Sequence, residues 1–179
     1  MPIARATRLA GVILLGGLAV SAAAAPVGLE VRAYPAGAIV AADWRLGDAE
    51  TLKWGVLAGY NFARRGDAGR HDDEDGGGPG LGVYAQQGLP QRPWFWGARL
   101  ELFQLDIDWR EADGRRGSSE VSVLQPTVSL GYRWLAGQPV EIELAAHLGA
   151  EINLSTQGES VGEGPIGLLG LRLSLPRAH

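Results

Sequence analysis

The chain has no cysteine and a single methionine among its 179 residues. The missing thiols exclude a disulfide framework and thiolate-held metal centres. Basic charge is also scarce. The formal net charge is −4 at pH 7, which argues against a nucleic-acid binder, because neutralising phosphates needs a basic surface. Long apolar runs are absent. The longest, Leu9 to Val20, is about 12 residues, short of the roughly 18–20 that a spanning helix requires. No helical period is evident after residue 25. Any passage through a membrane must therefore be made by strands, the other way to satisfy every backbone group in lipid.

The N-terminus carries a processing pattern. Arg5 and Arg8 precede the apolar run, and the small residues Ala22, Ala23 and Ala24 follow it. These are the n-region, h-region and A-x-A-like site of a secretory signal. The expected division is a signal peptide over 1–24 and one barrel domain over 25–179. Removing the two arginines takes the net charge from −4 to −6.

From residue 27 onward, period-2 alternation recurs. It predicts eight strands, at 27–34, 38–46, 52–62, 80–87, 94–109, 120–134, 140–154 and 166–175. Two of them change phase. In the fifth the apolar side moves from Leu100 and Leu102 to Leu105, Ile107 and Trp109, and in the sixth Val121 and Val123 give way to Leu124, Pro126 and Val128. A one-residue bulge in each would restore the facing. Alternatively, those ends rise above a bilayer and need no strict pattern. The connections alternate in length. Those at 47–50, 88–93 and 135–139 are short, while 63–80, 110–119 and 155–165 are long, polar and glycine-rich. Short turns at one end and long loops at the other mark an outer-membrane barrel. The connection Pro35–Gly37 is the misfit, being very short on the long-loop side.

Alternation alone does not say which side faces water. Three features favour an apolar outside. Trp44, Trp54, Trp94, Trp96, Tyr132 and Trp134 gather beside the short turns, and Tyr60, Phe62 and Trp109 lie toward the other ends. Indoles and phenols prefer the headgroup level, so Trp44, Trp54, Trp94, Trp96, Trp109, Tyr132 and Trp134 are expected as membrane-interface aromatics. Glycines such as Gly55, Gly97, Gly131 and Gly170 alternate with the apolar residues, which suits a narrow interior that must hold long side chains. The same side carries both signs of charge: Glu30, Asp43, Asp106 and Asp108, Arg32, and the set Arg45, Lys53, Arg99, Glu101, Arg133, Glu141, Glu143, His147, Glu151 and Arg172. Enclosed charges must pair, so these are expected as mutually neutralising barrel-interior groups.

On these patterns the chain resembles the small eight-stranded outer-membrane barrels of Gram-negative bacteria, of the OmpX, OmpW and OmpA-barrel kind. The resemblance is one of pattern over nearly all of the chain after residue 24 and singles out no subfamily. It implies an all-β, eight-stranded, antiparallel up-and-down transmembrane barrel. It also implies outer-membrane localisation, lipid and lipopolysaccharide as neighbours, and insertion by the outer-membrane assembly machinery. One departure stands out: such barrels usually end on an aromatic residue, and this chain ends "LRLSLPRAH".

Few residues suggest chemistry. "RHDDEDGGG" at 70–78 offers hard oxygen ligands, but it fits neither an EF-hand nor a Ca²⁺ nonapeptide, and reads as a solvated loop. His147 lies mid-strand near Glu143 and Glu151, and a catalytic role would need a nucleophile such as Ser129 within reach. The expectation is that His147 pairs structurally, with no catalytic residue, metal or cofactor site. The expected role is that of a non-enzymatic barrel with charge-paired interior and polar surface loops, leaving room at most for narrow passage of a small solute. The alternatives are a soluble periplasmic lipocalin-like barrel for an apolar ligand and, third, a lipid-modifying membrane enzyme.

Overall fold

The computed structural model describes residues 27–49, 51–66, 69–89, 92–134 and 140–175. The signal-peptide expectation and the turn at 135–139 fall outside them. Eight strands follow in chain order: β1 (Val27–Tyr34), β2 (Gly37–Asp48), β3 (Leu52–Arg64), β4 (Asp73–Gly88), β5 (Trp94–Arg110), β6 (Arg116–Trp134), β7 (Glu141–Gln157) and β8 (Gly164–Ser174). Each pairs antiparallel with its neighbour in sequence, and β8 closes onto β1 through pairs such as Leu171 with Val31. A closed ring leaves no long edge to be satisfied, which is what lets a sheet stand in lipid.

The facing is settled by β5. Outward and inward positions alternate over its whole length, with no bulge against either neighbour. Its outer face reads Trp94, Trp96, Ala98, Leu100, Leu102, then Gln104, Asp106, Asp108 and Arg110. Its inner face reads Phe95, Gly97, Arg99, Glu101, then Phe103, Leu105, Ile107 and Trp109. The apolar side changes over between Leu102 and Phe103. In β6 it changes over between Leu124 and Val123, and these are the cross-strand partners of Leu102 and Phe103. Leu81 pairs with Leu102, and Ile152 with Leu124. The row of paired residues through Leu81, Leu102, Leu124 and Ile152 thus carries the changeover on β5 and β6, while apolar outer residues continue past it on the flanking strands, to Tyr60 and Phe62 on β3 and Leu154 on β7.

Below that row the wall is apolar outside. Leu29, Val31, Val56, Val83, Leu100, Val128, Leu130, Leu169 and Leu171 all project from the barrel. On β3 the belt runs from Leu52 to Phe62, which at about 3.3 Å per residue and a tilt of roughly 40° is on the order of 25 Å tall. That matches the apolar band of a membrane barrel, roughly 25 Å. Above the row, on β5 and β6, the order is reversed. Tyr34, Ile39, Ala63, Phe103, Leu105, Ile107, Trp109, Val121, Val123, Val161 and Leu168 form one buried cluster inside the ring. Gly80 illustrates how tightly it is built. The Phe103 ring lies over it, so close that a Cβ there would fall 2.3 Å from Cδ1.

Several sequence expectations are corrected here. Trp109 is not an interface aromatic: it is only 8% exposed, inside the upper cluster, because unbroken alternation carries it inward. Asp106 and Asp108 lie on the outer face for the same reason. The phase changes in β5 and β6 need no bulge between them. The register shifts instead lie in β2, between Arg45 and Gly47, and on the β6–β7 side, where the partner steps from Ser155 to Asn153. The strands also run further up than predicted. Asp73 to Gly78 is not loop but the start of β4, paired with β3 and β5. The connections at this end shrink to 65–72, 111–115 and 158–163. The first hairpin stands where the sequence placed it, with Tyr34 opposite Gly37 and two residues in the turn. It is shorter than its neighbours and ends inside the upper cluster.

Candidate functional site

Inside the lower barrel, alternating strands bring long charged side chains inward from all sides. The Arg32 guanidinium lies against the Glu101 carboxylate with both nitrogens engaged, and both residues are wholly buried. Arg99 grips Glu30 in the same two-pronged way. Arg172 donates from Nε to Asp43 at 2.9 Å and from Nη1 to Glu143 at 2.9 Å, and Arg133 donates to the other Glu143 oxygen at 2.7 Å. Nearer the short turns, Lys53 lies 3.0 Å from Glu141, and Arg45 lies 3.6 Å from it. Tyr84 donates to Asp43 at 3.0 Å. Fork-to-carboxylate geometry of this kind is the strongest that side chains offer. The interior glycines make room for it. At Gly170 a Cβ would fall 2.9 Å from His147 Nε2 and 3.0 Å from Arg32 Cγ.

Apart from Asp106 and Asp108, the charged residues predicted to face inward do face the lumen, and all of these but Glu151 sit in this lower set. Glu151 sits higher, where it accepts from Arg65 at 3.0 Å and from Gln125 at 2.7 Å. His147 is 1% exposed, with Nε2 3.7 Å from Glu30. It stands directly opposite Ser129 across the β6–β7 ladder. Among the described residues, neither ring nitrogen nor Ser129 Oγ has a hydrogen-bond partner. The two side chains therefore do not form the nucleophile–base contact that covalent catalysis needs.

The predicted aromatics other than Trp109 lie on the outer wall. Trp44, Trp54, Trp94, Trp96 and Trp134 are all well exposed. The Tyr132 ring meets Trp94 edge-on at 5.2 Å and Trp134 at 4.7 Å. They form a patch beside the short turns, while Tyr60 and Phe62, 4.6 Å apart, mark the other side of the belt on β3.

The upper mouth holds a second polar group that sequence reasoning missed. Glu74 is wholly buried. Its carboxylate accepts from the backbone N–H of Arg70 at 2.8 Å, His71 at 3.2 Å and Gly162 at 3.0 Å, and from Arg65 at 3.1 Å. His71 stacks flat on Trp109, with centroids 4.4 Å apart. Its Nδ1 lies 2.7 Å from Glu111 and its Nε2 3.1 Å from the Ser160 carbonyl. Burial pulls the His71 pKa down. The hydrogen bond and charge of Glu111, with help from Glu74 and the Ser160 carbonyl, outweigh it, and the net direction is up. The one available signal was parity. Had β5 been read without a bulge, Trp109 would have pointed inward and drawn attention to the aromatic floor beneath this group.

An outside of leucine and indole around an inside of paired ions defines a β-barrel of the membrane-spanning class. No protein-family model matches the chain, and no curated protein matches it in sequence. Among solved structures it is similar to Neisserial surface protein A, NspA. The match covers 84% of this chain and 93% of that one, with a TM-score of 0.50 and 15% sequence identity. At that identity the likeness is one of fold.

Proposed function

We propose that this chain is a non-enzymatic integral outer-membrane barrel, exported by its N-terminal segment, with a plugged interior and with outer connections that meet the surroundings of the cell. The observation that carries the reading is the reversed wall: leucines and tryptophans outward over a belt of membrane height, and arginine–carboxylate pairs within. The neighbour's name, a surface protein, supports placing the 65–72, 111–115 and 158–163 connections at the cell surface. Lipid and lipopolysaccharide are then the immediate partners, and the outer-membrane assembly machinery the route of insertion. A soluble lipocalin-like barrel would direct those leucines toward its ligand, and they point the other way.

Support for a non-catalytic role comes from His147 and Ser129, which are enclosed and form no hydrogen bond with one another. Support for a closed lumen comes from the apolar cluster that fills the ring above the ion pairs. Cell fractionation is the first test. Recovery in the detergent-extracted outer-membrane fraction, with heat-modifiable migration on a gel, is the expected result. Recovery in the periplasm without detergent would refute the proposal. Purified protein in planar bilayers is expected to show no steady conductance. A His147→Ala variant that abolished a modification of lipid A in whole cells would establish the enzyme reading instead.

A further inference from the structure

We infer that the outer mouth carries a proton-operated latch: doubly protonated His71 holds the 158–163 connection across the barrel, and loss of one proton lets that connection go. The argument begins with what His71 touches. Its two partners are a carboxylate and a backbone carbonyl. Both only accept, so both ring nitrogens must carry hydrogen, and the ring is an imidazolium. A neutral ring has one N–H to share. The anionic Glu111, at 2.7 Å, holds it at Nδ1. The Nε2 lone pair then faces the lone pairs of the Ser160 oxygen, at 3.1 Å, and an attraction becomes a repulsion.

The connection is built to respond. Val161 is wholly buried in the upper cluster, so 158–163 dips into the mouth as a plug. Ser119 holds the Glu159 carbonyl at 2.7 Å and Asn153 holds the Val161 carbonyl at 3.1 Å. Those two belong to β6 and β7, so they hold the connection to its own wall. The grip from the opposite wall comes from Glu74, on Gly162, from His71, on Ser160, and from the exposed Arg70, 3.8 Å from Glu163. Gly158 and Gly164, with φ of 110° and 144°, bracket the segment. Both values favour glycine, so the segment leaves and re-enters the wall at two positions that other residues rarely adopt. Beneath lies a cavity of about 260 Å³ lined by Tyr34, Arg65, Glu151, Gly162 and Ile166, over the short first hairpin. The cavity is already partly open, and release at Ser160 would widen its mouth.

The charges facing His71 set the sign. The charges that act on it directly are Glu111, from 111–115, and Glu74, on its own side. The 111–115 connection also carries Asp113 and Arg115, paired with one another at 2.8 Å, and 158–163 carries Glu159 and Glu163; Arg70 and Asp72 adjoin His71 in sequence, Arg65 lies 3.1 Å from Glu74, and on β5 the ring stacks on the uncharged Trp109. The balance is acidic and favours the cation. The contact is fully present below the ordinary histidine value of 6.5 and is lost as pH rises through the higher folded value.

The test uses the refolded full barrel in detergent micelles. The chain has no cysteine, so Glu159→Cys takes a single nitroxide on the plug. The same preparation labelled with ¹⁵N-histidine reports the protonation of His71 directly. The expected result is an immobilised label at about pH 5, at least a threefold rise in its mobile fraction by about pH 9, and a midpoint that coincides with the His71 titration above 6.5. His71→Gln is expected to flatten the transition. Glu111→Gln, which keeps an acceptor but drops the charge, is expected to lower the midpoint by about one unit. The inference is overturned if the label does not respond to pH, if the response survives His71→Gln in a barrel that still shows heat-modifiable migration, or if Glu111→Gln leaves the midpoint unmoved. None of these outcomes depends on which membrane the barrel occupies.

Discussion

Below the row through Leu81, Leu102, Leu124 and Ile152 the barrel is inside out, with ion pairs at its centre and leucine at its rim. Above the row it is built like a soluble protein, with Phe103, Leu105 and Ile107 at the centre and Asp106, Asp108 and Glu120 outside. The same uninterrupted strand, β5, makes both storeys. The backbone therefore does not encode which face is apolar. The medium outside does, and where the medium changes from hydrocarbon to water, the residues trade sides at one level on adjacent strands. The lower storey needs its charges to satisfy each other, while the upper storey needs shape.

The largest effect should come from unbalancing the lower centre. Arg172 serves Asp43 and Glu143 together. Among the described residues, Arg172→Met leaves Asp43 with the Tyr84 hydroxyl, at 3.0 Å, as its hydrogen-bond donor, while Glu143 keeps Arg133. An uncompensated buried carboxylate costs about 3–5 kcal/mol. The loss is expected in urea unfolding of the barrel in phospholipid vesicles, and Arg172→Met combined with Asp43→Leu should recover more than half of it. A single-variant loss below about 1 kcal/mol would mean that the interior is hydrated and the ions are not truly enclosed.

A somewhat smaller effect tests the level at which the storeys meet. Val83 is exposed at mid-belt, paired with Val56 between Trp54 and Tyr60. Val83→Arg places a charge in hydrocarbon and is expected to cost about 2–4 kcal/mol in vesicles. Asp108→Arg, on the outer face above the row, is expected to stay within about 0.5 kcal/mol. Equal costs at the two sites would remove the boundary.

How much of this the sequence shows follows the same division. In the lower storey strict period-2 spacing, glycine opposite long side chains and charge of both signs on one face identify the inward set, from Arg45 to Arg172. All of them face the lumen because lipid tolerates no exceptions. In the upper storey the apolar parity exchanges, and a reader who holds the apolar side outward must invent a bulge. That step sends Asp106 and Asp108 to the wrong face and makes Trp109 a membrane aromatic. The stretch "DEDGGG" reads as loop because aspartate and glycine are poor strand formers. It is held extended by ladders to β3 on one side and β5 on the other, which no local reading contains. Glu74 is hidden for the same reason: its partners at 70, 71 and 162 meet only when two connections fold over one mouth.

The smallest effect is the most diagnostic, because it removes one methylene from each storey. Ile107 is wholly buried in the upper cluster, so Ile107→Val opens a gap that its neighbours fill only in part, at about 0.5–1.5 kcal/mol. Leu102 lies five residues earlier on the same strand but faces outward. There, lipid chains close over the shortened side chain, and Leu102→Val should change stability by no more than a few tenths of a kcal/mol. Measured side by side by urea unfolding in the same vesicles, the pair separates packing against protein from packing against fluid hydrocarbon. If Leu102→Val costs as much as Ile107→Val, then the belt at that height is covered by something ordered, and the level of the boundary must be drawn lower.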